Sequence, residues 1–72
     1  MVLAEVPTLT PVVVLSIPQA SLLRNKGIEE GTPVVVLSRS SYGTMKLQID
    51  DSELSETFIG TTIAEKITVQ YL

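Results

Sequence analysis

The heptapeptide Thr-Pro-Val-Val-Val-Leu-Ser occurs twice in this 72-residue chain, at Thr10–Ser16 and at Thr32–Ser38. Each copy opens on a proline, which lacks a ladder donor and suits the first position of a strand, and continues as a β-branched run of strand length. The residues between the copies carry the chain's best helical pattern. The expected start is therefore two strands of one sheet joined by a short helical crossover. Valine-rich strands recur by composition alone, so the repeat speaks for duplicated structure more than for duplicated function.

The helix signals are local and specific. Ser16 and Gln19 have the spacing of a capping box, and Pro18 would fall in the first turn, where its missing donor costs nothing. Gly27 suits the left-handed residue that closes a helix, Ile28 is then placed to touch Leu23, and Arg24 and Lys26 sit at the negative end of the dipole. The helix is expected to end near Lys26. Glu29-Glu30-Gly31 follows as a turn, and Pro33 pushes Thr32 to extended geometry.

The remaining strands are legible from period-two alternation. Strands are expected at Val12 to Leu15 and Val34 to Arg39, with Ser40-Ser41-Tyr42-Gly43 as a hairpin loop. Met45, Leu47 and Ile49 alternate with Lys46, Gln48 and Asp50, the pattern of a strand with one wet face. Thr57-Phe58-Ile59 reads as a short strand ending at Gly60. Thr62 and Glu65 have capping-box spacing for one helical turn, and Ile67, Val69 and Tyr71 alternate as a final strand. Met1 to Leu9 reads as a weakly patterned lead-in. The first two strands are apolar on both faces, so their outer face needs a cover: the helix, a second subunit or another partner.

Composition excludes whole classes of chemistry. The chain has no His and no Cys, which removes a catalytic triad, a zinc or iron–sulfur site and a disulfide framework. A single domain over residues 1–72 buries about 60% of the surface its unfolded chain exposes, too little to wall off a deep active site. Four carboxylates fall within Asp50-Asp51-Ser52-Glu53-Leu54-Ser55-Glu56. That stretch lacks the residue order and the glycine of a calcium loop and reads as solvated. Neither Gly31-Thr32 nor Gly60-Thr61-Thr62 has P-loop spacing. The chain is expected to be no enzyme and to hold no cofactor or metal.

Eight acidic and five basic residues give a net charge of −3. Arg24, Lys26, Arg39, Lys46 and Lys66 are scattered, which argues against nucleic acid as a partner. Phe58 and Tyr71 are not interleaved with basic residues and read as core or rim. The uncharged stretch from Val6 to Leu23 is broken by Pro7, Pro11 and Pro18, so it fits neither a spanning helix nor a signal core. A cytoplasmic setting is expected.

Three stretches carry a family resemblance. Leu22-Leu23-Arg24-Asn25-Lys26-Gly27-Ile28-Glu29-Glu30-Gly31-Thr32-Pro33-Val34-Val35-Val36 is similar to the leucine-bearing helix, Leu-Gly-Leu closure, Pro-Gly-Thr turn and valine strand of the FeoA family. Phe58 to Val69 resembles that family's ending, with a turn containing Ile-Ala and a final Ile-x-Val strand. Leu3-Ala4-Glu5-Val6-Pro7 resembles its lead-in. Two departures stand out: Leu9-Thr10 occupies the place where members often carry glycine, and Asp50 to Glu56 is acidic where members tend to be basic.

The resemblance implies a small SH3-like β-barrel of about five strands, with one short α-helix between the first two strands and a short helical turn before the last. It implies an accessory protein of ferrous iron transport and iron homeostasis that docks on the FeoB membrane GTPase and transporter, at the inner face of the membrane. A protein-binding patch is expected around Leu22, Leu23, Arg24 and Ile28; Leu23 and Ile28 serve equally as a staple of the helix end into the core. Oligomeric state stays open, a weak homo-oligomer included. Two alternatives remain. Ile17-Pro18-Gln19-Ala20 with Arg24 and Gly27 to Gly31 also resembles AbrB-type swapped-hairpin DNA-binding domains, over roughly the first 50 residues. The barrel of a larger metal-dependent repressor, acting as an interaction module, has the same fold requirements.

Overall fold

The computed structural model describes residues 1–18, Leu23, 25–49 and 56–72. A 3-10 turn at Leu3–Glu5 leads into β1 (Pro11–Ser16), β2 (Pro33–Arg39), β3 (Thr44–Ile49), β4 (Glu56–Gly60), the short helix α1 (Thr61–Ala64) and β5 (Thr68–Tyr71). The strands form one sheet in the order β4-β3-β2-β1-β5, antiparallel at every pairing. This is the mainly β, SH3-like architecture that the strand pattern and the resemblance implied.

Side-chain alternation builds the core. Val12 and Val14 of β1, Val34 and Val36 of β2, Met45, Leu47 and Ile49 of β3, Ile59 of β4 and Val69 of β5 all point inward. Both copies of the heptapeptide bury the same two valines. Both also slip register by one residue at the same place, between Val14 and Ser16 against β5 and between Val36 and Ser38 against β3. Such a bulge bends a strand and raises its twist, which helps a small sheet curl around one core. The repeat is thus a repeat of structure.

The structure corrects several expectations. Ser16 belongs to β1, opposite Thr68, and Gln19 lies outside the described residues, as do most of the expected helix and the acidic stretch up to Ser55. The lead-in is a core element: Leu3 and Val6 are fully buried, and Val2 bridges Thr68. The Leu3 N–H donates to the Ile67 carbonyl and the Val69 N–H to the Met1 carbonyl, both at 2.8 Å, which covers part of the β5 edge. The turn before β5 exists, but it starts two residues early. Gly60 is its N-cap with no side-chain cap bond, and the Glu65 N–H donates to the Thr61 carbonyl. The Thr62–Glu65 capping box is therefore not formed.

The swapped-hairpin alternative also falls. The C-terminal third forms β4, α1 and β5, with β5 laddered onto β1. A swapped hairpin has no place for that segment.

Candidate interaction surface

The closure of the segment between β1 and β2 is set by one glycine. Leu23 is helical, Gly27 has φ 84°, and the Ile28 N–H donates back to the Leu23 carbonyl at 3.0 Å. That is the six-to-one bond of a Schellman motif, with Gly27 as the left-handed residue and Leu23 and Ile28 as its apolar pair. Both side chains are 0% exposed. They lie beneath the surface, in the core cluster. Leu22 and Arg24 lie outside the described residues, so of the four expected contact residues the structure places two, both in the core.

Around that buried pair, Asn25, Lys26, Gly27, Glu29, Glu30 and Gly31 are exposed. The Gly31 N–H donates to the Val14 carbonyl at 2.8 Å and the Val14 N–H to the Thr32 carbonyl at 3.0 Å. These bonds pin the turn to β1. The helix end thus carries an exposed polar rim over the buried Leu23–Ile28 pair.

That outer face is apolar and incompletely covered. Val13, Val35 and Leu37 are half-buried, and Leu15 at the β1 bulge is 45% exposed. Phe58 also faces out, 60% exposed, from β4 opposite Lys46. It is rim and not core, and the inward neighbour Ile59 was the signal for it. Tyr71 is likewise exposed.

Leu9 is a surface residue as well. It has φ 63° and is 71% exposed. A leucine in the left-handed region costs roughly 1–2 kcal/mol. The signal was its position, where a glycine is usual in the family it resembles.

Among the described residues, electrostatics add little. Lys46 Nζ lies 3.1 Å from Glu56 Oε1, with both side chains more than a third exposed, a pair worth about 0–1 kcal/mol. Among the described residues, no three His, Cys, Asp or Glu side chains gather as metal ligands, and no helix is long and apolar enough to cross a membrane.

Comparison with known proteins agrees with this geometry. The sequence profile of the FeoA domain matches residues 1–71. The crystal structure of an iron uptake regulatory protein, FeoA, superposes with a TM-score of 0.81 at 22% identity, covering 97% of this chain and 93% of that one. The NMR structure of a FeoA-like protein from Clostridium acetobutylicum gives 0.78 at 22% identity, covering 100% of this chain and 86% of that one. The search of curated proteins gave no match. With its fold shared and nearly its whole length matched, this chain belongs to the FeoA family, the small accessory proteins of ferrous iron transport.

Proposed function

We propose that this chain is a non-enzymatic, cytoplasmic regulator that binds a FeoB-type membrane GTPase and ferrous iron transporter at the inner face of the membrane, without carrying iron itself. The observation that carries the reading is the FeoA match over residues 1–71. The residue inventory supports it independently, since a chain without His or Cys offers ferrous iron weak oxygen ligands alone.

The docking surface in this reading is the helix end and the adjoining outer face of β1 and β2. Leu22 and Arg24 make the contact, Leu23 and Ile28 hold the surface in shape from below, and Leu15 extends it. An apolar centre with a polar rim is the usual anatomy of such a patch.

The test is capture of the transporter's cytoplasmic domain by the purified chain with GDP, with a GTP analogue and without nucleotide. Association in at least one state is expected. Arg24→Glu and Leu15→Asp should each weaken it about tenfold, near 1.4 kcal/mol, with circular dichroism unchanged. Absence of association in every nucleotide state refutes the docking. Undiminished binding by both variants refutes this surface.

A further inference from the structure

The seam between β1 and β2 is symmetric in both sequence and register. Val12 faces Val34, Pro11 faces Val35 and Val13 faces Pro33. The second heptapeptide repeats the first 22 places on (32 − 10), so Val12 faces its own counterpart and Pro11 faces the counterpart of Val13. A local twofold axis runs through the Val12–Val34 pair.

The flanking strands keep that symmetry. Val14 pairs with Val69 and Val36 with Leu47; Val13 pairs with Gln70 and Val35 with Gln48. Each central strand then slips by one residue at its leucine. An isologous dimer interface must be complementary to itself. This seam meets that condition, because its two sides are the same seven residues.

The seam is also the shortest ladder in the sheet. It has three paired positions, against four between β1 and β5 and five in each of the other two ladders. It divides the 3-10 turn, β1, α1 and β5 from β2, β3 and β4.

We propose that two copies of this chain form a twofold-symmetric dimer by trading the β1–β2 seam for homotypic ladders. β1 then pairs with β1 of the second copy and β2 with β2 of the second copy, with Val12 and Val34 both on the axis. Two seams of three pairs open and two ladders of the same three pairs form, so side-chain burial at the seam is unchanged. The exchange also parts the Arg39 bonds to Ala4 and Val6 and the core that the two halves share, with residues 17–32 and the direct Gly60–Thr61 junction as its hinges, so it needs high protein concentration and partial unfolding.

Cysteine pairing reads this out cleanly, because the chain has no cysteine of its own. Pro11 is exposed and Val13 half-buried on the outer face, so Pro11→Cys and Val13→Cys spare the core. In the homotypic β1 ladder Pro11 of one copy faces Val13 of the other, within disulfide reach. The two variants are mixed, partly unfolded, refolded at high concentration and oxidised. The expected product is a mixed covalent dimer of doubled mass that neither variant forms alone.

Absence of that product overturns the proposal. So does cross-linking confined to a mixture of Pro11→Cys with Val35→Cys, which marks a plain exchange of residues 1–16 with the original seam kept. A measurement on the unsubstituted chain guards against variants that fail to fold. In a mixture of isotope-labelled and unlabelled chains, between-copy NMR contacts from Pro11 to Val13 are expected at high concentration, with doubled mass by sedimentation. A chain that stays monomeric there, or a dimer without those contacts, refutes the exchange.

Discussion

Leu9 donates its backbone N–H to the Val36 carbonyl at 2.8 Å while held at φ 63° with its side chain in solvent. The bond ties the entry of β1 to the β2 bulge, and the leucine side chain, 71% exposed, contributes little burial in return for its strain. Leu9→Gly removes about 1–2 kcal/mol of left-handed strain and adds roughly 0.5–1 kcal/mol of backbone entropy. The expected net is a stabilisation of up to about 1.5 kcal/mol. Leu9→Val, β-branched in the same conformation, should destabilise by a similar amount. Urea midpoints at constant slope check both.

Gly27 and Gly60 should respond to the same change by different amounts. A Cβ at Gly27 would meet Ile49 Cγ2 at 3.6 Å, an ordinary contact, so the cost of Gly27→Ala comes from φ 84° alone. That is roughly 1–2 kcal/mol. Gly60 has φ −72° and its nearest atom is the Gly43 carbonyl oxygen at 4.0 Å. Gly60→Ala should cost about 0.5 kcal/mol or less, its loss being that of a preferred cap residue. Thermal midpoints of the two variants, measured side by side, separate strain from crowding.

Arg39 fastens the N-terminal turn. Its Nη2 donates to the Ala4 carbonyl at 3.0 Å and to the Val6 carbonyl. Arg39→Ala should cost on the order of 1 kcal/mol, the scale of a hydrogen bond to a charged group at a half-exposed site. The loss should be local. Hydrogen exchange at Leu3 and Val6 is expected to speed up more than exchange at Leu47, and Arg39→Lys should restore part of the difference.

Leu47 is fully buried at the middle of β3, and Val36 and Thr57 stand opposite it on the neighbouring strands. Leu47→Ala should cost about 2–5 kcal/mol through lost transfer energy and the cavity left behind. A domain this small has a stability of the same order, so loss of the cooperative unfolding transition is the expected readout. A full transition with a midpoint near that of the unsubstituted chain contradicts the placement of Leu47.

The Lys46–Glu56 pair should matter little. Lys46→Ala is expected to change stability by less than about 1 kcal/mol, and the difference should shrink in high salt as screening removes it. A larger, salt-independent effect would mean that the Lys46 stem contributes by packing against Phe58, its cross-strand neighbour.

Much of the fold was legible because its signals are short-range. The alternation of Met45, Leu47 and Ile49 names a strand and its buried face within five residues. Gly27 after Leu23 names a helix end, and the long stretches around them identify the family. The candidate surface was legible in outline alone. Leu23 and Ile28 are apolar whether they face a core or a partner, and nothing within a few residues of them distinguishes the two.

The chain's own sequence therefore determined where strands start, which of their faces is apolar and which glycine closes the helix, since each depends on neighbours two to five residues apart. Tertiary structure alone decided that Leu3 and Val6 complete the core, that Ser16 pairs with Thr68, and that Leu9 is held left-handed by Val36. Those outcomes depend on pairings across 27 to 64 residues, counted from Leu9 to Val36 and from Leu3 to Ile67. Long-range pairing is a choice among competing registers made by the whole core at once, and no local pattern encodes it.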